Sequence, residues 1–341
     1  MQTEPKVAFL IPVHNSAAHL SKCINSLLTQ SYRNFIIIAI DDGSSDESLK
    51  ILQSYSKKYC NIKILTQTNK GPSAARNSGL KYIENDASID YISFIDSDDY
   101  ISSDFLEQHI QSLQQSESDI SVCGYTYVRQ QCDQHKTKPF ASLKIMDQFE
   151  FICLIFGYYP WQTLNGAGGM VWKQVFRSNI VRGIRFLEDR DVVEDELFCL
   201  EVAERVRKVV YIPKAIYYYC QQSTSLSNKI EFNLNLAKGR ERCLQFSTKF
   251  PKEIEFIIFT AFLDAVFYAI KDKPNQYDIS HYEHLAYASF NAKILSLRKF
   301  LKFLFLIKFP NTLVNYYKIR TKFYYFKQKT KFLLNHSQNA N

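Results

Sequence analysis

The first hundred residues switch regularly between two periods, and that alternation restricts the fold more than any other feature of the chain. Val7–Ile11, Phe35–Ile40, Ile62–Leu65 and Tyr91–Ile95 are short β-branched or aromatic runs, which predicts strands. Ala17–Leu28, Glu47–Tyr59 and Ser73–Ile83 instead carry apolar residues at helical spacing. Strand, helix, strand, helix predicts a mostly parallel sheet, joined by right-handed crossovers and covered by helices on both faces. A polar loop follows each strand: Pro12–Asn15, Asp41–Asp46, Thr66–Gly71 and Asp96–Asp99. In such a sheet these loops share the edge at the carboxyl ends of the strands, where ligands bind.

The rest of the chain is less regular. Ile120–Tyr127 reads as a strand, Gln130–Lys138 as a polar surface loop and Asp147–Phe156 as a helix. Gly166–Gly169 suits close backbone approach to a ligand. Val192–Val206 reads as a helix opening with acids, and Lys208–Tyr219 as a strand. Beyond Ser227 the pattern is helical, over Asn233–Phe246, Ile254–Ile270 and Ser280–Leu306. The expected division is an α/β domain over 1–225, a helical extension over 226–290 and a basic, aromatic tail over 291–341.

With 341 residues the chain can bury a full core in one large or two medium domains. Its eight cysteines are scattered, with no C-x-x-C pair and no zinc-ligand spacing, and read as reduced thiols. The predicted first strand follows Met1 too closely for a signal peptide, so a cytoplasmic location is expected. The net charge of +8 is concentrated at one end. Eleven of the 42 basic residues lie beyond Glu283, where no acid remains, leaving 31 bases against 34 acids in the body. The run Ile294–Phe309 mixes Arg298, Lys299, Lys302 and Lys308 with large apolar groups. Two readings fit this tail: contact with an anionic membrane interface, or a helix packed on the domain with a solvated basic face. No nucleic-acid motif accompanies the charge.

Chemistry concentrates at the strand ends. Tyr91–Tyr100 is an apolar run that stops in Asp96, Asp98 and Asp99, which repel one another unless solvent or a cation compensates them. Hard carboxylate oxygens suit magnesium or manganese, although a helix-capping turn accounts for the same residues. Asp41 and Asp42 precede Gly43, a turn residue, with Ser44 or Ser45 expected to cap the next helix. A carboxylate here can accept from a pyrimidine N–H or a sugar hydroxyl. Arg76, one turn into the helix after Gly71-Pro72, has the fork geometry for a diphosphate, and Asn77 an amide suited to orienting carbonyls. Glu194 and Asp195 open a later helix, as structural acids or as the source of a general base. Neither a dinucleotide fingerprint nor a phosphate loop is present.

Taken together, these motifs resemble family 2 glycosyltransferases with the GT-A fold, over roughly residues 5 to 225. The resemblance rests on Val7–Asn15, Asp41–Asp46, Asn69–Gly79 (N-x-G-x-x-x-A-R-N-x-G), the Asp96-Ser97-Asp98 D-x-D motif and the Glu194-Asp195 E-D motif. It implies a Rossmann-like, mostly parallel central sheet flanked by helices, with a helical C-terminal extension. Pro12, His14, Asn15, Asp41, Asp42, Arg76, Asp96 and Ser97 would then bind a nucleotide-sugar donor, a UDP-sugar being favoured. Asp98, with Asp96, would hold Mn2+ or Mg2+, and Asp195 would be the base of an inverting transfer. Trp161, Gly168, Gly169 and Glu194 would shape the site for a saccharide or lipid-linked acceptor in surface polysaccharide assembly. His14 departs from the tyrosine usual in the family, which leaves nucleotide preference open. The other classes are a sugar nucleotidyltransferase, whose Gly-rich basic loop is not seen at Pro12–Ser16, and a non-catalytic nucleotide-sugar binder, which would have no need of Asp98 and Asp195.

Overall fold

The computed structural model describes residues 4–128, 134–137, 141–157, 169–188, 193–220, 232–252 and, with gaps, 254–265. The chain divides into two compact units, Met1–Gly157 with Leu164–Asn228, and Tyr158–Thr163 with Lys229–Asn341.

In the first unit the expected alternation is present: β1 (Val7–Val13), α1 (Ala17–Leu28), β2 (Phe35–Asp42), α2 (Ser48–Lys58), β3 (Ile62–Gln67), α3 (Pro72–Ile83) and β4 (Tyr91–Phe94). It continues through β5 (Tyr100–Ile101), α4 (Phe105–Ser116), β6 (Ile120–Val128), β7 (Gln134–Thr137), β8 (Lys144–Met146) and α5 (Gln148–Ile155). A 3-10 turn (Val171–Lys173), β9 (Gln174–Arg177), α6 (Ser178–Val181), α7 (Glu194–Ala203) and β10 (Val209–Cys220) complete it. The strand order is β3-β2-β1-β4-β9-β6-β10-β5. β1 pairs in parallel with β2 and β4, as β2 does with β3, so four carboxyl ends meet at one edge.

Beyond α4 and the short β5, β8 and α6, which the sequence analysis did not anticipate, two strands differ from the sequence expectation. β9 runs antiparallel between β4 and β6, which brings its amino end to the carboxyl edge of the parallel strands. Gln134–Thr137, expected in a polar loop, pairs antiparallel with β6. An edge strand needs no alternating apolar pattern, so Q-H-K-T carried no periodic signal.

Both faces of the sheet are covered. Val7, Phe9, Ile11 and Val13 pack with Leu20, Ile24 and Leu27 of α1 and with Phe105, Ile110 and Leu113 of α4. On the other face α3 crosses β1 and β2, with Gly79 close to Leu10 and Ile40. There an aromatic cluster joins Phe94, Phe176, Phe186 and Phe198, the last two rings stacked at 4.0 Å. α5 starts at a capping box in which Asp147 accepts from Glu150 N at 2.7 Å.

In the second unit, α8 (Phe232–Phe246) leads into a 3-10 turn at Ser247–Lys249. Arg240 donates to the Ala261 carbonyl at 3.1 Å. Much of the expected Ile254–Ile270 helix, all of Ser280–Leu306 and the basic tail lie outside the described residues. Among the described residues no helix is long and apolar enough to cross a membrane.

Candidate active site

The loops after β1, β2 and β3 are tied to one another by hydrogen bonds. Asn15 sits at φ 49°, a left-handed conformation that Asn adopts more readily than most residues. Its Oδ1 accepts from Ser45 N at 2.8 Å and Asp46 N at 3.3 Å. Fixing that oxygen fixes the amide, so Nδ2 faces His14 Nε2 at 3.2 Å. Asn69 brings a second Nδ2 to the same ring nitrogen at 3.2 Å. With amide donors on Nε2 and the Asp42 carbonyl 2.9 Å from Nδ1, the network assigns a neutral imidazole protonated at Nδ1.

Neither Ser44 nor Ser45 caps α2, contrary to the sequence reading. Both turn back to Asn15, Ser44 Oγ accepting from its N–H and Ser45 Oγ donating to its Oδ1. Asp46 takes the role for two helices, accepting from Ala17 N of α1 at 3.0 Å and Ser48 N of α2 at 2.9 Å. A carboxylate has an oxygen for each, and both macrodipoles favour its charge. Gly43 at φ 67° lets this loop meet the next, since a Cβ there would lie 2.9 Å from Asn69 N.

Asp42 is fully engaged. Its Oδ1 accepts from Gln67 Nε2 at 2.8 Å and Lys70 N at 2.9 Å, and its Oδ2 from Gly71 N at 2.8 Å. Asp41 is less satisfied: Oδ2 accepts from Ser44 N at 3.3 Å, while buried Oδ1 has no hydrogen-bond partner among the described residues. Ser97 Oγ lies 2.7 Å from Ser16 Oγ, which ties the turn after β4 to the loop after β1. Pro12, half-buried, stands one position before the end of β1.

The second half of the edge is built around one cation. Arg76 is 5% exposed, an arginine taken out of solvent and not left on the outer face of α3. Nη2 donates to Asp96 Oδ1 at 2.9 Å, and Nη1 lies 3.5 Å from Glu194 Oε1 and 3.4 Å from Asp195 Oδ1. The strand end and the helix start, remote in sequence, therefore meet at a single guanidinium. Val193, just before α7, adopts φ 88°, a strained conformation for a β-branched residue.

Asp195 Oδ2 accepts from Val171 N at 3.2 Å, a donor brought to this edge because β9 runs antiparallel. Burial pushes its carboxyl up to about 7, opposed by Arg76 and reinforced by Glu194 and Asp96. Burial also works against the Arg76 charge, but Asp195, Asp96 and Glu194 outweigh it and raise its pKa.

The three aspartates after β4 separate by role. Asp99 is 1% exposed and turns inward, accepting from Tyr217 Oη and Cys220 N, each at 2.7 Å. It is a structural anchor and not part of the exposed negative charge that the sequence suggested. Burial first, then Asp96, push the Asp98 carboxyl up to about 6, and among the described residues no cation offsets them. A half-buried hard oxygen with excess negative charge beside it fits a divalent cation. No group of three or more His, Cys, Asp or Glu side chains forms a metal cage among the described residues. The protein's donors would be Asp98 and Asp96, the latter already paired with Arg76.

Of the residues assigned to the acceptor, Glu194 joins this cluster, and Trp161 and Gly168 lie outside the described residues. Gly169 has a packing reason to be glycine: a Cβ would sit 2.8 Å from Ile155 Cγ2 and 3.0 Å from Glu196 Cα of α7. Sequence reasoning missed Phe186, whose ring lies 5.3 Å from the Arg76 guanidinium carbon, and Tyr217, which holds Asp99. Phe186 stands in no motif; only its apolar character marked it.

The Glycosyl transferase family 2 model matches residues 8–178 of the chain. The chain belongs to that family. It is similar to glycosyltransferase GlyA of Streptococcus pneumoniae serotype 4, 29% identical over 236 residues, or 67% of this chain and 32% of that protein. It is 30% identical over 237 residues to the uncharacterized glycosyltransferase EpsJ of Bacillus subtilis, covering 65% of this chain and 63% of that protein. The match thus spans under two thirds of the length of either relative. Among solved structures, TarS 1–349 of S. aureus superposes with a TM-score of 0.62 at 19% identity, over 83% of this chain and 78% of that one. TarS has also been solved with UDP and with UDP-GlcNAc. The mannosyltransferase PcManGT from Pyrobaculum calidifontis, in complex with GDP-Man and Mn2+, gives 0.52 at 11% identity, over 91% of this chain and 88% of that one. These likenesses show the GT-A fold.

Proposed function

We propose that this family member transfers a sugar from a nucleotide-sugar donor, UDP-sugars being favoured, to a hydroxyl of a saccharide or lipid-linked acceptor in surface polysaccharide assembly, with inversion. The observation that carries this reading is the meeting of Asp96, Glu194 and Asp195 at Arg76. Pro12, neutral His14 and the Asp41–Asp42 turn hold the nucleotide base, and Asn15 and Ser97 brace that pocket. TarS, solved with UDP and UDP-GlcNAc, supports a uridine donor at the same fold.

Asp195 takes the proton of the acceptor hydroxyl, whose oxygen bonds to the anomeric carbon from the face opposite the nucleotide. The bond to the diphosphate breaks, and the diphosphate leaves with its electron pair. A carboxyl at about 7 is basic enough to accept that proton near neutrality and still substantially ionised there. Arg76 keeps Asp195 and Glu194 in register with the Asp96 turn. Asp98 and Asp96 would hold a divalent cation, which when bound neutralises charge on the leaving diphosphate. The basic tail gives a lipid-linked acceptor a rationale, at about 1 kcal/mol per Lys or Arg near an anionic surface.

Nucleotide release from a panel of UDP-, GDP- and dTDP-sugars, with Mn2+ or Mg2+ and again with a chelator, tests the proposal. Release from a UDP-sugar, lost on chelation, is expected. No release from any donor under any condition contradicts it.

A further inference from the structure

Phe186 touches every element that carries the charged cluster. Its ring lies 5.3 Å from the Arg76 guanidinium carbon, is stacked at 4.0 Å and 2° on Phe198 of α7, and meets Phe94 of β4 edge-on at 5.2 Å. Phe198 is three residues beyond Asp195, on the same side of its helix, and Phe94 is two before Asp96. Phe186 is itself held by Asn77, the neighbour of Arg76. Asn77 Nδ2 donates to the Phe186 carbonyl at 2.8 Å, and Phe186 N donates to Asn77 Oδ1 at 2.8 Å. A third bond runs from Nδ2 to Glu188 Oε1 at 3.0 Å. A side-chain amide carries a donor and an acceptor side by side, which matches a backbone N–H and C=O together.

We propose that Asn77 and Phe186 are positioning residues for sugar transfer: the amide clamps the Phe186 backbone, and the ring aligns Arg76 with Asp195. The inference rests on Asp195 being the base. Arg76 has long contacts to Glu194 and Asp195 and an Nε with no hydrogen-bond partner among the described residues, so those bonds alone do not set its orientation. A flat ring below the guanidinium supplies what the hydrogen bonds lack. The groups facing Asp195 are Arg76 from α3, Asp96 after β4, Val171 N before β9, and Glu194 and Cys199 from its own helix. Arg76 alone among these side chains favours the ionised carboxylate.

The test compares full-length wild type, Asn77→Ala, Phe186→Leu and Asp195→Asn in the nucleotide-release assay, with the donor the wild type uses best and folding checked by circular dichroism. Phe186→Leu keeps the apolar volume and removes the ring. It should lower kcat on the order of 10- to 100-fold, leave donor KM unchanged, and move the acid limb of the pH profile above about 7. Asn77→Ala should act in the same direction; if it does not fold, Phe186→Leu decides. A folded Phe186→Leu with wild-type kcat and pH profile overturns the inference. So does a loss of activity that follows the folded fraction with the acid limb unmoved. An inactive Asp195→Asn beside an unaltered Phe186→Leu removes this inference alone, whereas an active Asp195→Asn removes the base assignment beneath it.

Discussion

The two halves of the carboxyl edge follow opposite electrostatic rules. Under β1, β2 and β3, Asp42 accepts three hydrogen bonds and Asp46 caps two helices. Across the edge, Asp96, Glu194 and Asp195 share one guanidinium, and Asp98 has no cation beside it among the described residues. Asp41 Oδ1 apart, the first half is satisfied before any ligand arrives, as suits the preorganised nucleotide pocket proposed there. The second is left short of positive charge, which is what the proposed divalent cation at Asp98 would supply.

Substitutions in the two halves should therefore fail differently. Asp98→Ala removes a carboxylate without a counter-charge, so folding should survive while transfer falls about 1,000-fold, several kcal/mol of barrier. Rates and thermal melts on one preparation check this; a folded variant with near-normal turnover breaks the contrast. Arg76→Met leaves three carboxylates uncompensated and should cost about 3–5 kcal/mol of stability with loss of activity, read from urea unfolding at neutral pH. On the satisfied side, Asp42→Ala strands Lys70 N, Gly71 N and the Gln67 amide. It should cost about 1–3 kcal/mol and raise donor KM more than it lowers kcat.

The residues of each half, though not the contrast between them, were legible before the fold was known, because each half has its own motif. β1–β4 and α1–α3 followed from clean periodicity, and Asp96 and Asp195 from the D-x-D and E-D patterns. β9 was not foreseen: four residues after a 3-10 turn carry too little alternation, and only pairing with β4 and β6 makes Gln174–Arg177 a strand. The double cap at Asp46 and the inward turn of Asp99 also escaped, since both depend on partners distant in sequence. Phe186 was invisible for the same reason.

The smallest expected effect runs the other way. Asp195 has a folded pKa of about 7, above its ordinary value of 3.8, so the native state binds that proton more tightly than the unfolded chain. Its contribution is favourable below the unfolded value and is lost as pH rises through about 7. Asp195→Asn lacks this penalty and should be stabilised relative to wild type at about pH 8, a gain that shrinks toward about pH 4. Melting temperatures across that range would show it, and a pH-independent difference would contradict the burial assignment.

The most direct test of the account is the pH dependence of nucleotide-sugar turnover for wild type and Asp195→Asn together. Wild-type kcat/KM should climb through an apparent pKa near 7 to a plateau, with the variant at least about 1,000-fold lower and without that limb. A variant that turns over near the wild-type rate with the same limb would show that the carboxylate joined to Arg76 is not the base.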